Sequence, residues 1–193
     1  MRQEALSDGD LLDAYAEGDD GAFACLYERH DRQCFGFIRK LMGSGRDGLA
    51  EDIHQETWCS VSRNAAIFDA GRAQFKTWLF TIARNKVLDH IRAEKVTSVW
   101  TPVDDCGVEQ LADAGAGPME QVMTKQLAVA VIRAVEALPL SQREAFLLFN
   151  DGELSIEEIG LATGVGTETA KSRLRYAREG VRKALAAWGA TSV

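Results

Sequence analysis

At 193 residues with 46% hydrophobic side chains, the chain can bury one large core or two small ones. A formal net charge of −7 excludes a general nucleic-acid coat, which would be basic throughout. No run approaches the roughly 18 apolar residues that a membrane helix needs, and the start Met1-Arg2-Gln3-Glu4 lacks the apolar core of a signal peptide, so a cytoplasmic protein without membrane insertion is expected. The charge is unevenly placed. Residues 72–95 carry six Lys or Arg against two acids and 171–183 six against one, while 1–71 and 96–170 are acidic. Such a chain is suited to touching DNA at two places while offering acidic surface to another partner. Cys25, Cys34, Cys59 and Cys106 form no Cys-x-x-Cys pair and no metal-like grouping with the three histidines; His30 and Cys34, four apart, are only two ligands. Reduced thiols, no metal and no cofactor are expected.

In chain order, the pattern predicts helices almost everywhere. Ser7 with Asp10 resembles a capping arrangement, Leu11, Leu12 and Tyr15 give a short apolar face, and Gly18 ends the helix. Asp20 can start the next, with Phe23, Leu26, Tyr27, Cys34 and Ile38 near one stripe up to the break Gly43-Ser44-Gly45. From 47 to about 64, Leu49, Ile53, Trp58 and Val61 point inward while Glu51, Asp52, Gln55 and Glu56 crowd an outward face. A loop over 64–73 leads into a long helix from 74 to about 95. No convincing period-2 strand is present.

Residues 96–119 have little helical period, several glycines, two of the three prolines and only acidic charge, and read as a flexible linker. Pro118 suits the first turn of the next helix, whose stripe Met119, Met123, Leu127, Val131 and Val135 runs to Leu138-Pro139. Ser141 to Glu144 reads as a second capping box. Then comes a helix-turn-helix: Ser155 capping with Glu158, Ile156, Ile159 and Leu161 inward, Gly164 and Gly166 breaking the chain, and Thr167 capping a second helix. On that helix Ala170 and Leu174 pack, and Lys171, Ser172, Arg173, Arg175 and Arg178 can meet DNA. An ordinary helical hairpin with a solvated basic face is the competing reading of these residues alone.

Four motifs in order resemble the bacterial extracytoplasmic-function (ECF) sigma factors. They are Glu51-Asp52-Ile53-His54-Gln55-Glu56-Thr57-Trp58; the stretch from Phe75-Lys76-Thr77-Trp78-Leu79-Phe80 to Arg92; Leu138-Pro139-Leu140-Ser141-Gln142-Arg143-Glu144; and the helix-turn-helix. The resemblance spans about residues 10–182. It implies an all-α protein of two small helical domains joined by a flexible linker. Residues 1–95 would bind core polymerase and recognise and melt the minus-ten element, 96–119 would be the linker, and 120–193 would read the minus-thirty-five element. It implies a dissociable specificity subunit of RNA polymerase and no catalysis. The implied partners are core RNA polymerase, through its β′ clamp helices and β flap, promoter DNA, and an anti-sigma factor, which would hold the chain at the inner membrane if itself membrane-bound; no small-molecule substrate is implied.

The same resemblance gives the residues their roles. Glu51, Asp52, Gln55 and Glu56 match the face that grips the clamp helices. Lys76, Arg84, Lys86 and Arg92 supply phosphate contacts, and Asn85, Asp89 and Arg92, at i, i+4 and i+7, share a face. Ile67, Phe68 and Asp69, with Gly71, stand in the loop that the family uses to hold an unstacked base, and Phe68 and Asp69 are assigned to the minus-ten element. Phe75, Trp78 and Phe80 are either core or stacking aromatics, with Trp78 assigned to the core. Thr167, Glu168, Lys171, Ser172, Arg173, Arg175, Tyr176 and Arg178 form the upstream reader. Tyr176 departs from the arginine of many relatives, and Ala170 from a larger aliphatic. The alternative is a helix-turn-helix regulator with an N-terminal sensing domain, which leaves the acidic face and the basic helix at 75–92 unexplained.

Overall fold

The computed structural model describes residues 6–97 and 118–191, all of whose regular structure is helical. Side chains are described for 6–94 and 126–189. Ser7 opens α1 (Asp8–Ala16), with the reciprocal bonds of a capping box to Asp10. Leu11 and Leu12 on this helix are fully buried. Asp8 ties α1 to α2 (Asp20–Met42) by accepting from Arg29 at 2.9 Å and meeting His30 at 2.7 Å. Those partners, His30 first, hold the Asp8 carboxyl below its usual range. α2 starts at Asp20 as expected, capped by Asp19, whose carboxylate accepts from the Gly21 N–H at 3.0 Å. α3 (Asp47–Arg63), a 3₁₀ turn at Ala65–Ile67 and α4 (Phe75–Thr97) complete the first bundle. Its core is built from fully buried Phe37, Ile38, Leu41, Ile53, Val61, Leu79 and Phe80, with Phe37 and Phe80 edge to face at 5.2 Å.

The linker expected at 96–119 overlaps helix at both ends, since α4 runs through Thr97 and α5 (Pro118–Glu136) opens at Pro118; the remainder lies outside the described residues, as does Cys106. α6 (Leu140–Asn150), α7 (Ile156–Thr163) and α8 (Thr167–Thr191) follow. Leu147, Leu148, Ile159, Ala170, Leu174 and Ala177 are buried among them. Ser155 and Glu158 form the predicted capping box.

Four local expectations need correction. Ser141 does not cap α6: the cap lies two residues earlier, at Pro139, whose carbonyl accepts from the Gln142 and Arg143 N–H groups at 2.8 and 3.0 Å. Leu161 is 67% exposed, because helical spacing from buried Ile159 turns Ala162 inward instead. Leu127 is exposed, and the side chains of Met119 and Met123 lie outside those described. Thr167 is the first residue of α8 rather than its cap; the carbonyl of Gly166 accepts from Thr169 and Ala170. Among the described residues no helix is long and apolar enough to cross a membrane, and no three His, Cys, Asp or Glu side chains gather as a metal site.

Candidate nucleic-acid interface

Burying Ile53, Thr57, Trp58 and Val61 forces Glu51, Asp52, Gln55 and Glu56 onto the opposite, exposed side of α3. Glu56 meets Lys86 of α4 at 3.3 Å. Behind this face lies a small polar core. The Trp58 indole N–H donates to His54 Nε2 at 3.0 Å, and Asp31 Oδ1 stands 2.9 Å from the same nitrogen. One ring nitrogen cannot accept from tryptophan and donate to a carboxylate together: Nε2 accepts from Trp58 when unprotonated and donates to Asp31 when protonated. Burial, partly offset by Asp31, holds the His54 pKa below its ordinary value of 6.5. A base whose folded-state pKa is depressed contributes stability that is present above 6.5 and lost as pH falls through the folded-state value. Urea midpoints measured over a pH series should therefore fall below that point, and His54→Gln should flatten that part of the slope; an unchanged slope would remove His54 as its source.

The loop before α4 presents its side chains unequally. Phe68 is half-buried, its ring 5.1 Å from that of Trp78 and 6.2 Å from that of Phe75. The exposed apolar group is its neighbour Ile67, at 77%. Asp69 is exposed and its carboxylate accepts from the Gly71 N–H at 2.9 Å. Phe75 and Phe80 are buried, while Trp78 is half-buried. Along α4, Asn85, Asp89 and Arg92 are exposed, with Arg92 on Asp89 at 2.9 Å.

Two expected phosphate contacts on α4 are engaged by the C-terminal helices. Lys76 lies 2.6 Å from Glu153, and Arg84 lies 3.3 Å from Glu144, which is 3% exposed. Between them the Thr77 hydroxyl donates to Glu158 at 2.6 Å. In the sequence Glu144 and Glu158 read as capping residues, and no local signal marks Thr77 or Glu153. Glu158 does both jobs, accepting also from the Ser155 N–H at 2.9 Å. Burial pushes its pKa up, but the Thr77 and Ser155 hydrogen bonds outweigh that and leave it below the usual range; Lys76 does the same for exposed Glu153.

In the helix-turn-helix, Gly164 ends α7 at φ 68°, ψ 32°, a left-handed cap that glycine adopts without steric cost. Gly160 lets the turn fold tightly, since a Cβ there would stand 2.9 Å from the Val165 carbonyl oxygen. The turn fixes α8 so that Lys171, Arg175, Tyr176 and Arg178 are exposed, and Ser172 and Arg173 half-exposed, opposite buried Ala170, Leu174 and Ala177. Thr167 and Glu168 are exposed in the first turn, where Glu168 lies 3.7 Å from Lys171. Arg175 lies over the Tyr176 ring at 4.7 Å, and Arg178 over Phe149 at 4.4 Å.

Known families match both halves: sigma-70 region 2 over residues 26–97 and sigma-70 region 4 over residues 128–179. The chain is 30% identical to the ECF RNA polymerase sigma factor SigW of Bacillus subtilis, across 88% of this chain and 91% of SigW. It is 36% identical to the ECF RNA polymerase sigma factor SigM of Mycobacterium tuberculosis, across 89% of this chain and 81% of SigM. The fold resembles that of the sigma factor RpoE in complex with the anti-sigma factor NepR from Bartonella quintana, at a TM-score of 0.64 and 23% identity, covering 84% of this chain and 96% of RpoE.

Proposed function

Because the chain belongs to the ECF RNA polymerase sigma factors, we propose that it divides promoter recognition along its length. Residues 1–95 dock on the β′ clamp helices and engage the minus-ten element, 96–119 connect, and 120–193 read the minus-thirty-five element beside the β flap. As a sigma factor it is an initiation factor that directs polymerase to promoters, and not an enzyme. The observation that carries the division is the segregation of exposed charge: carboxylates on α3 and cations on α8, each opposite a buried apolar face. The acidic face Glu51, Asp52, Gln55 and Glu56 complements a basic partner. Lys76, Arg84, Asn85, Lys86, Asp89 and Arg92, with the 68–69 loop, serve the downstream element. Thr167, Glu168, Lys171, Ser172, Arg173, Arg175, Tyr176 and Arg178 serve the upstream one. A sensing regulator with a helix-turn-helix leaves the region 2 match without a purpose.

The protein then acts in the cytoplasm, at the nucleoid while in holoenzyme. An anti-sigma factor competing with core polymerase is part of the same reading, supported by the complex in which the similar RpoE fold is held; a membrane-bound inhibitor would keep it at the inner membrane.

In vitro transcription with core enzyme and a genomic library, followed by mapping of start sites, tests the function directly; absence of any specific start with active core would overturn it. With a mapped promoter, Arg173→Ala or Arg175→Ala should each cost about 1–3 kcal/mol and relax selectivity at one or two upstream positions. Lys86→Ala should instead weaken all promoters alike and lower the salt slope by about one counterion. If Lys171, Arg173 and Arg175 can all become alanine without changing upstream preference, the basic face of α8 is only a solvated surface.

A further inference from the structure

We propose that α1 is a brace for the loop at 64–73, holding it before, within and after its length and so fixing the position from which it engages the minus-ten element. The proposal rests on the reading that this loop serves that element. The sigma-70 region 2 match begins at residue 26, so α1 (Asp8–Ala16) lies ahead of it and takes no part in the roles assigned above. Yet the helix is firmly seated. Leu11 and Leu12 are fully buried, and α1 packs against the 3₁₀ turn at Ala65–Ile67 as well as against α2 and α4.

The attachments fall at three points along the loop. Before it, the hydroxyls of Tyr15 and Ser62, the latter one residue from the end of α3, stand 2.5 Å apart, and the Tyr15 ring is backed by that of Phe23 at 4.7 Å. Within it, a Cβ at Gly9 would stand 3.5 Å from that of Ala70, so the α1 backbone comes within a methyl group's depth of the loop. After it, Asp8 meets His30 at 2.7 Å, the His30 ring lies 5.4 Å from that of Phe75, the first residue of α4, and Phe75 in turn stands 6.2 Å from Phe68. Asp8, Leu12 and Tyr15 are spaced i, i+4 and i+7, on one face of the helix, so a single docking of that face secures both ends of the loop.

The brace leaves the outer side of the loop free, with Ile67 and Asp69 both exposed. A loop ordered before DNA arrives has less conformational freedom to lose when it holds a base, so α1 favours the captured state without itself meeting DNA. None of the three attachments uses Glu51, Asp52, Gln55, Glu56 or a cation of α8. Promoter opening can therefore be impaired while core binding and upstream preference stay intact.

Holoenzyme on a mapped promoter, with opening followed by permanganate reactivity of unpaired thymines, tests the brace. Tyr15→Phe and Ser62→Ala should each slow opening by about three- to tenfold, the worth of one hydrogen bond. The double variant should be no slower than the slower single, since both remove the same contact. Unchanged opening in both singles overturns the proposal, and so does slower opening accompanied by an equal loss of core affinity, which would mark a general loss of fold.

A covalent lock tests it independently. Gly9→Cys with Ala70→Cys, made together with Cys25→Ser, Cys59→Ser and Cys106→Ser, starts from a Cβ separation of 3.5 Å, within the range of about 3.5–4.5 Å that a disulfide spans. Oxidised glutathione takes the two electrons and two protons of the thiols as one S–S bond forms, and leaves as two molecules of thiol. Locked holoenzyme should open the promoter as fast as its reduced form. Opening lost on oxidation and restored by reduction would mean that the loop must leave α1 to work, which overturns the brace. Specific starts from the wild-type chain, with opening indifferent to Tyr15→Phe and Ser62→Ala, defeat the brace alone; no specific start from active core removes the DNA role of the loop and the proposal with it.

Discussion

Asp52→Arg combined with Glu56→Arg should abolish capture of core polymerase, the largest fall in binding expected from any surface change in this chain. Both carboxylates are exposed on α3, so arginine meets no steric barrier there. Within the chain the double substitution breaks the 3.3 Å pair of Glu56 with Lys86, an exposed pair of the kind worth about 0–1 kcal/mol. Across an interface the balance is different. Truncating one partner of a hydrogen-bonded charge pair costs about 2–5 kcal/mol, and reversal adds repulsion on top. A pull-down or anisotropy titration with core enzyme should show no complex at concentrations that saturate the unaltered chain, with helical circular dichroism retained. Equal affinity of the double variant would remove this face from the interface.

The second large effect is on stability. Phe80 stands in the same motif as Trp78 and the basic residues of α4, where an aromatic could be read as a base-stacking group. Its side chain is fully buried against Phe37, so Phe80→Ala should destabilise the first bundle by about 3–5 kcal/mol, the range for emptying a phenylalanine site in a core. Against a total of about 5–15 kcal/mol for a domain, that is enough to unfold a substantial fraction near physiological temperature. Thermal unfolding should report a lower midpoint. A variant that kept its midpoint but no longer opened promoters would place Phe80 at the DNA after all.

What the sequence discloses here is decided by range. Ser7 with Asp10 and Ser155 with Glu158 are legible because donor and acceptor lie three residues apart and need nothing from the rest of the chain. The same pattern at Ser141 and Glu144 misleads, because Pro139 opens the helix and the Glu144 carboxylate answers Arg84, 60 positions earlier in the sequence. Nothing local marks that pairing. Leu161 and Leu127 are misplaced for a related reason: an apolar residue near the edge of a helical stripe is turned in or out by what packs beside it. The acidic face of α3 and the basic face of α8 are legible, since each follows from burying the opposite stripe. The aromatic neighbourhood that Phe68 finds in Trp78 and Phe75 is not legible, because only the folded chain assembles it.

Two arginines on α8 carry a consequence that concerns order rather than charge. Arg175 rests over the ring of Tyr176, and Arg178 rests over Phe149 of α6. Stacking restricts a guanidinium whose free side chain carries about 2 kcal/mol of rotamer entropy. Each arginine thus presents its fork from a narrowed set of conformations, and less freedom remains to be given up on binding an acceptor. The two rings act as rests for the arginines, holding their planes in place before any partner arrives.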